Sequence, residues 1–432
     1  MFSEQNPREI ATRVLRQRRP GGDFTENLLE TALAAARLSP PDRGLCQEIV
    51  YGVVRWQAAL DWLIARKTPG REQRPALQIL LQTGLYQIFW LDRIPPHAAV
   101  HETVELAKRA GFGPQAGFVN AILRGCLRET EPTRRLLADL KVSQPALGYS
   151  QPDWLVSRWL QRWDAPCVTQ LLEWNNTPPK TYARLNRLKT DATALLERWR
   201  AEAVNYDFVP PGPWPENQIF ELTGHPSLAT LPSFADGWFY VQDPSTLLAV
   251  TQLRPQPGDT VLDLCAAPGG KTAYITQLMN NQGRLVAHDI AEDRLALVRD
   301  NARRLGLAGV ETTLIPPASS GALAFDRILV DAPCSNTGVM RRRVDLRWRI
   351  QPAEITRLRA TQLELLDRAA PLLKPGGILV YSTCSLEPEE NHDVLAQFIA
   401  RHPHYQCEAE HQLLPFTDGV DGAYVARLTR LR

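Results

Sequence analysis

The sequence predicts a multidomain protein with an all-α N-terminal domain, a small α+β connector and a C-terminal α/β domain built on a doubly wound sheet. Three observations predict this organisation. The chain has 432 residues, too many for one ordinary hydrophobic core. Apolar residues recur at spacings of three and four from Pro7 to about Lys141, as in amphipathic helices. From Gly237 onward, short aliphatic runs alternate with helical stretches. We therefore expect domains over residues 1–145, 146–236 and 237–432.

The predicted N-terminal domain is basic. Residues 1–145 contain 20 lysines and arginines against 15 aspartates and glutamates. Five arginines cluster near its start, at Arg8, Arg13, Arg16, Arg18 and Arg19. Such a cluster fits either a solvated helix face or a set of phosphate contacts. A pair of histidines, His97 and His101, is spaced one helical turn apart, but no third ligand accompanies it, and we therefore expect no metal site.

The predicted connector is rich in tryptophan and in basic residues. Tryptophans stand at positions 154, 159, 163, 174 and 199, and they alternate with Arg158, Arg162, Lys180, Arg184, Arg187 and Lys189. Aromatic rings interleaved with cations suit base stacking and backbone contact in RNA binding. Large aromatic side chains are more often buried. We expect most of these tryptophans to be core residues.

Composition narrows the class of protein. The formal net charge of +2 is too small to identify a nucleic-acid partner by itself. The sequence has no run of eighteen apolar residues and no basic-then-apolar leader, so we expect no membrane association. Seven cysteines without a CxxC pair argue against a disulfide framework or a zinc site. We expect a monomeric protein of the reducing cytoplasm.

Two cysteines follow two buried strands. Residues 325–331 and 378–382 are aliphatic runs that break into small and polar residues, and each delivers a cysteine, Cys334 and Cys384, just past the strand. Open α/β sheets bind ligands at the carboxyl ends of their strands. The sequence therefore predicts that both thiols face one site.

A third motif predicts a nucleoside site. Residues 261–272 read as a strand that runs through a glycine-containing turn into a helix. The motif imitates a phosphate-binding loop, but that loop needs glycine where Cys265 stands. Asp289 follows the next strand, where an acid can accept the two hydroxyls of a ribose.

These motifs resemble a known family. The segments DLCAAPGGKT, VAHD, DAPCSNTGV and YSTCS occur in the order found in S-adenosylmethionine-dependent RNA cytosine-C5 methyltransferases. Upstream, the segments CQEIVYGVVRW and GFVNAILR are similar to the NusB-like domain of the bacterial 16S ribosomal RNA members of the RsmB type. The resemblance implies a Rossmann-like catalytic domain, an RRM-like or ferredoxin-like connector and small-subunit ribosomal RNA as partner.

The resemblance also implies roles for individual residues. In such RNA enzymes the cysteine of the Thr-Cys motif, here Cys384, attacks carbon 6 of cytosine, and the cysteine of the Pro-Cys motif, here Cys334, helps to release the product. Spacing alone leaves open which thiol attacks. Covalent addition also needs a group beside ring N3 and a nearby positive charge, for which Asp331 and Lys271 are candidates. The expected S-adenosylmethionine-binding residues are Asp263, Cys265, Ala266, Ala267, Pro268, Gly269, Gly270, Lys271, Asp289 and Asp331.

Two features qualify this interpretation. The family carries an acid after the third strand of the sheet, but here residues 313–320 contain none, so the residue that contacts adenine is left unassigned. Five arginines crowd positions 341–349, and we expect them to contact RNA phosphates. Two alternatives stay open: a transfer-RNA cytosine methyltransferase and a non-catalytic RNA-binding assembly factor.

Overall fold

The computed structural model describes residues 6–210, 212–315 and 325–431. The chain divides into two compact units. One contains the residues up to Thr177 together with Met340–Ile350, and the other contains Pro178–Val339 and Gln351–Arg432. None of the described helices is both long and apolar enough to cross a membrane.

The first unit is helical, as predicted. Helix α1 shows why the sequence folds this way: Asn6 accepts a hydrogen bond from the amide of Arg8, Pro7 occupies the first turn, and Ile10 and Val14 face the core. The helices are α1 (Pro7–Gln17), α2 (Thr25–Ala34), α3 (Pro40–Arg55), α4 (Gln57–Lys67), α5 (Pro75–Trp90), α6 (Pro96–Ala107), α7 (Ala116–Arg128), α8 (Thr130–Ser143), α9 (Pro145–Gly148), α10 (Asp153–Leu160) and α11 (Ala165–Asn176).

The arginine-rich segment after the second cysteine motif belongs to this helical unit. Arg347 is 1% exposed and donates to the carbonyl oxygens of Arg55, at 3.0 Å, and Asn175, at 2.9 Å. Arg341 is equally buried and lies 3.8 Å from the ring centre of Trp174. The expectation that these arginines contact phosphate is therefore wrong for Arg341 and Arg347, because their guanidinium groups are already committed inside the protein.

A neighbouring carboxylate completes the same cluster. Asp345 is buried, accepts a hydrogen bond from the amide of Thr25 at 3.0 Å and pairs with Arg349 at 3.1 Å. Arg349 also donates to the carbonyl oxygens of Gly22 and Asp23. The expectation of phosphate contact is wrong for Arg349 as well. Of the five arginines at positions 341–349, only Arg343 is exposed.

The second unit begins with a small α+β domain. In the described chain its strands form a sheet of order β2-β3-β1-β4. Trp199 lies in its core and Trp159 is buried in the helical unit, which confirms the core interpretation for these two tryptophans. The elements are β1 (Thr181–Leu185), α12 (Ala192–Ala201), β2 (Asn205–Phe208), β3 (Ile219–Gly224), α13 (Pro232–Ala235) and β4 (Phe239–Val241).

Arg184 on β1 is not available to RNA. Its guanidinium group donates to Gln242 at 2.9 Å, to Gln277 at 2.5 Å and to the carbonyl oxygen of Gly270 at 3.3 Å. Burial lowers the pKa of this side chain to about 10. Arg184 therefore joins the small domain to the helix that follows the predicted cofactor turn.

The remainder is a Rossmann-like α/β domain. In the described chain its sheet has the order β10-β11-β9-β8-β5-β6-β7, parallel from β9 to β7 and antiparallel at β11 and β10. Its elements, with α17 assigned to the helical unit, are α14 (Leu247–Leu253), β5 (Thr260–Asp263), α15 (Gly270–Leu278), β6 (Arg284–His288), α16 (Glu292–Leu305), β7 (Val310–Thr313), β8 (Phe325–Asp331), α17 (Leu346–Arg349), α18 (Pro352–Ala369), β9 (Leu373–Thr383), α19 (His392–Arg401), β10 (Tyr405–Leu413), α20 (Pro415–Asp418) and β11 (Ala423–Arg430).

One strand was not predicted. Strand β11 lies between β9 and β10, so β10 forms the antiparallel edge of the sheet. Most of β10 is polar and exposed, with only Tyr405 and Leu413 buried. An edge strand of this kind lacks the apolar run that identifies a buried strand.

Candidate functional site

The site lies at the carboxyl ends of the central strands. The chain leaves β5, adds β6 and β7 on one side, and then crosses back to place β8 on the other side of β5. Such a reversal of strand order opens a crevice at the strand ends. Asp263 and Asp331 end β5 and β8, while Asp289 and Cys384 directly follow β6 and β9.

The structure brings the two predicted thiols into contact. The Sγ atoms of Cys334 and Cys384 are 3.2 Å apart, and the amide of Cys384 lies 3.3 Å from the Cys334 sulfur. The side-chain oxygen of Asn336 lies 3.0 Å from the Cys384 sulfur. Cys334 is 8% exposed, whereas Cys384 is half-buried. The hydrogen bond with Cys384, together with burial, raises the pKa of the Cys334 thiol.

A partly buried ion pair lies beside the thiols. Lys271 Nζ lies 2.5 Å from Asp331 Oδ2, and Ser382 donates to Asp331 Oδ1 at 2.7 Å. Burial by itself lowers the pKa of Lys271. The hydrogen bond to Asp331 and the negative charges of Asp331, Cys384 and Asp263 outweigh this effect, so the pKa is raised. Lys271 therefore remains a cation at neutral pH. The predicted residues Lys271, Asp331, Cys334 and Cys384 thus belong to one cluster.

The predicted cofactor turn connects β5 to α15. Gly269 has a φ of 101°, a left-handed conformation that favours glycine, and its amide donates to Ala266 O at 2.8 Å. As the residue preceding α15, Gly269 has no side chain to cap the helix. The peptide bond between Ala267 and Pro268 is cis. The turn also contains Cys265, and burial raises the pKa of its thiol.

Two aspartates flank the turn. Asp263 is fully buried; Thr272 donates to its Oδ2 at 2.6 Å, while its Oδ1 has no hydrogen-bond partner in the described part of the chain. Burial raises its pKa to about 7. Asp289 accepts hydrogen bonds from the amides of Ala267, at 3.0 Å, and Ile290, at 2.8 Å. Arg294 also pairs with Asp289 at 2.7 Å, so a ribose would have to compete with a guanidinium group.

Sequence analysis missed one residue of this region. Glu390 is fully buried behind the two cysteines and accepts hydrogen bonds from Ser335 and Ser385, the residues that follow Cys334 and Cys384. A glutamate in the run Glu387-Pro388-Glu389-Glu390 carries no signal that separates it from an exposed acid. Its partners are brought to it only by the fold.

Two other features singled out in the sequence lie outside this cluster: the stretch after the third strand, and the pair His97 and His101. The absent acid after the third strand concerns residues 313–320, of which positions 316–320 lie outside the described residues. His97 and His101 line a surface groove of about 500 Å³ together with Arg124 and Arg128. Within the described ranges, no group of three His, Cys, Asp or Glu side chains is arranged to hold a metal ion.

Comparison with known proteins gives a consistent result along the whole chain. Residues 250–429 match the family described as 16S rRNA methyltransferase RsmB/F, residues 5–128 match the NusB family, and residues 151–213 match the ferredoxin-like domain of RsmF/B-like methyltransferases.

Individual relatives cover almost all of the chain. The "Probable ribosomal RNA small subunit methyltransferase B" of Bacillus subtilis (strain 168) is 34% identical over 98% of both chains. The "Ribosomal RNA small subunit methyltransferase B" of Shigella sonnei (strain Ss046) is 38% identical over 100% of both. The crystal structure of the protein PH0851 has the same fold, with a TM-score of 0.79 over 98% of both chains at 23% identity.

Proposed function

Because the chain belongs to the RsmB/F family of 16S ribosomal RNA methyltransferases, we propose that it methylates carbon 5 of one cytosine in small-subunit ribosomal RNA. In this proposal the reaction passes through a covalent bond between Cys384 and carbon 6 of the ring. The observation that carries the proposal is the 3.2 Å contact between Cys334 and Cys384 beside the ion pair of Lys271 and Asp331. In this proposal one thiol attacks the ring and the other assists release, so both must reach the same base.

Attack by a thiol comes first. Carbon 5 of cytosine is a poor nucleophile, and addition of a thiolate at carbon 6 converts the ring into an enamine whose carbon 5 can accept a methyl group. We assign the attack to Cys384 because its side chain is the more exposed of the two thiols. The family resemblance supports the same assignment.

Asp331 and Lys271 act on the charge that this addition creates. Negative charge develops at ring N3 during attack, and a nearby hydrogen-bond donor or cation stabilises it. In the proposal Asp331, which is partly exposed at the end of β8, shares a proton with ring N3 in the transition state and accepts a hydrogen bond from the exocyclic amine. Lys271 supplies the positive charge and orients the Asp331 carboxylate.

Release completes the cycle. A base takes the proton from carbon 5, the double bond re-forms, and the bond between carbon 6 and the Cys384 sulfur breaks. Cys334 touches the Cys384 sulfur and is the residue we propose to assist this elimination.

The residues of the cofactor turn fit S-adenosylmethionine, which supplies a methyl group on a positively charged sulfur. The unpartnered, buried oxygen of Asp263 offers an acceptor for the amino group of the amino-acid portion, and the uncapped start of α15 offers amide donors for its carboxylate. Asp289 offers a carboxylate for the ribose. Ile290, next to it, is 86% exposed and offers an apolar surface for the adenine.

The helical unit supplies a candidate surface for RNA phosphates. Arg13 and Arg16 on α1 and Arg19 just beyond it are exposed. Deleting the first domain is a poor test of this surface, because the buried segment Met340–Ile350 would lose the helices that hold it. Reversing the three charges in the full chain, by Arg13→Glu, Arg16→Glu and Arg19→Glu, is expected to weaken RNA binding and flatten its salt dependence. An unchanged salt slope would exclude this surface.

The direct test of the function uses RNA from a strain that lacks the protein. Small ribosomal subunits, 16S ribosomal RNA and bulk transfer RNA are incubated separately with the enzyme and S-adenosylmethionine, and bisulfite sequencing then maps 5-methylcytosine. We expect one modified cytosine in 16S ribosomal RNA. Methylation of transfer RNA alone would favour the alternative substrate, and no methylation with intact RNA binding would favour a non-catalytic assembly factor. All residues assigned to the reaction come from one chain, and we propose that the protein acts as a monomer in the cytoplasm.

A further inference from the structure

Glu390 is the buried acid that connects the two cysteine turns. Its Oε1 accepts hydrogen bonds from the amide of Ser335, at 2.8 Å, and from Gln362 Nε2, at 3.0 Å. Its Oε2 accepts from the hydroxyls of Ser335 and Ser385, the latter at 2.5 Å. The main-chain oxygen of Glu390 accepts from Tyr381 at 2.5 Å. Four donors therefore converge on one carboxylate that has no exposure to solvent.

This arrangement links the two cysteine turns. Ser335 and Ser385 are each bonded in sequence to a cysteine, and their hydroxyl oxygens are 3.0 Å apart. Both hydroxyls bind the same carboxylate oxygen. A side-chain bridge therefore joins the two turns beyond Asp331 and Ser382, the last pair of the ladder between β8 and β9. A buried carboxylate is costly unless it is fully hydrogen-bonded. An apolar residue would pack there at lower cost but could not join the two turns.

We propose that Glu390 is a positioning residue, which holds the Cys334 and Cys384 turns at the separation that attack by one thiol and assistance by the other require. The inference rests on the proposed two-thiol reaction. Glu390 does not touch the substrate; it acts through Ser335 and Ser385. Asn336 and Thr337 continue the same network. The side-chain oxygen of Asn336 contacts the Cys384 sulfur, and the hydroxyl of Thr337 accepts a hydrogen bond from the amide of Leu386 at 2.8 Å.

Electrostatics gives a second consequence that a purely structural role lacks. After the hydrogen bond to Cys384 and burial, the negative charge of Glu390 is a further cause of the raised pKa of Cys334. Neutralising Glu390 should therefore lower the pKa of the Cys334 thiol. A carboxylate that served only to fill space would leave the titration of that thiol unchanged.

The test variant is Glu390→Gln, with Glu389→Gln as matched control. Glutamine has the same shape, and its carbonyl oxygen can still accept from Ser335 N and Gln362, but its amide nitrogen cannot accept from the two serine hydroxyls, so the bridge between the two turns is weakened. Three quantities are measured: the pH profile of Cys334 alkylation by iodoacetamide, followed by mass spectrometry of the peptide; the single-turnover methylation rate on 16S ribosomal RNA; and the affinity for S-adenosylmethionine.

For Glu390→Gln we expect the alkylation midpoint of Cys334 to move to lower pH and single-turnover methylation to slow by at least about tenfold, since small misplacements of reacting groups have effects of this size. Cofactor affinity should stay within about twofold of the wild type, as for a distant site. Glu389→Gln should match the wild type in all three measurements.

A wild-type alkylation profile and a wild-type methylation rate in Glu390→Gln would overturn the proposal. If Glu390→Gln does not fold, the single-arm variants Ser335→Ala and Ser385→Ala decide: each should slow methylation, and wild-type rates in both would equally overturn it. The alkylation profile needs no RNA. Failure of the wild-type enzyme to methylate RNA would therefore refute the proposed function, while the position of the Cys334 midpoint would still report on Glu390.

Discussion

The two halves of the candidate site differ in how complete they are. In the thiol half, at the ends of β8 and β9, side chains bind one another: Cys334 touches Cys384, and Glu390 bridges the serines that follow them. In the cofactor half, at the ends of β5 and β6, Asp263 keeps an oxygen without a partner in the described chain, and Asp289 is paired with Arg294, which is 51% exposed. The thiol half is therefore held together by contacts within the protein, whereas the cofactor half keeps groups that a ligand can engage.

Lys271 is the residue that joins the halves, and its loss should have the largest effect. It belongs to α15, which follows the cofactor turn, but its ammonium group pairs with Asp331 of the thiol half. We expect Lys271→Met to lower turnover on the order of a hundredfold and to weaken cofactor binding as well, because the Asp331 carboxylate loses its cation. Steady-state kinetics and calorimetry measure the two effects. The double variant Lys271→Met with Asp331→Asn should regain thermal stability; no recovery would mean that the ion pair is not what Lys271 contributes to stability.

Asp263 should make stability depend on pH. An aspartate has a pKa of about 4 in an unfolded chain, and burial raises that of Asp263 to about 7. The folded protein therefore binds more protons between these values, so this residue lowers the free energy of unfolding as pH rises from about 4 to about 7. We expect Asp263→Asn to gain stability relative to the wild type between about pH 5 and pH 8 in urea unfolding. The exposed Asp293→Asn is the control, and parallel pH profiles for all three proteins would contradict the burial argument.

Asp289 should affect the cofactor half alone. We expect Asp289→Ala to weaken S-adenosylmethionine binding by more than about tenfold, because a carboxylate that accepts ribose hydroxyls contributes over about 1.4 kcal/mol. Alkylation of Cys384 should not change. Unchanged affinity in calorimetry would remove Asp289 from the cofactor site, and altered thiol reactivity would show that the halves are not separate.

Arg294 should give the smallest effect and the opposite sign. It occupies both oxygens of Asp289 and would compete with a ribose for them. Arg294→Ala is therefore expected to tighten cofactor binding a few-fold, roughly 1 kcal/mol or less for a half-exposed ion pair. Arg299→Ala, on the same helix, is the control. Weaker binding in Arg294→Ala would mean that this arginine holds the ligand itself.

The same contrast explains what could be predicted from the sequence. Strands β8 and β9 and their cysteines were predictable because buried parallel strands read as continuous aliphatic runs and thiols directly after them mark the strand ends. Arg347 was misread because its carbonyl partners, Arg55 and Asn175, come from remote parts of the chain. Glu390 was missed for the same reason, since Ser335 stands 55 residues away.

The cofactor half of the site shows both outcomes: a local motif that could be predicted and a side-chain pairing that could not. The glycine turn of the cofactor half is a local motif that one segment encodes, and it was predicted. The pairing of Asp289 with Arg294 was not, although the two are five residues apart. A ribose-binding acid and an acid paired with arginine have the same sequence signature.

The central claim is that Cys384 attacks and Cys334 assists release, and one experiment tests it most directly. Cys384→Ser and Cys334→Ala are each incubated with 16S ribosomal RNA and S-adenosylmethionine and run on a denaturing gel. We expect a slowly migrating protein–RNA adduct for Cys334→Ala, which methylates once and stalls, and none for Cys384→Ser, whose hydroxyl is too weakly acidic to add to the ring. The opposite pattern would reverse the roles of the thiols, and turnover without adduct in both variants would contradict covalent catalysis altogether.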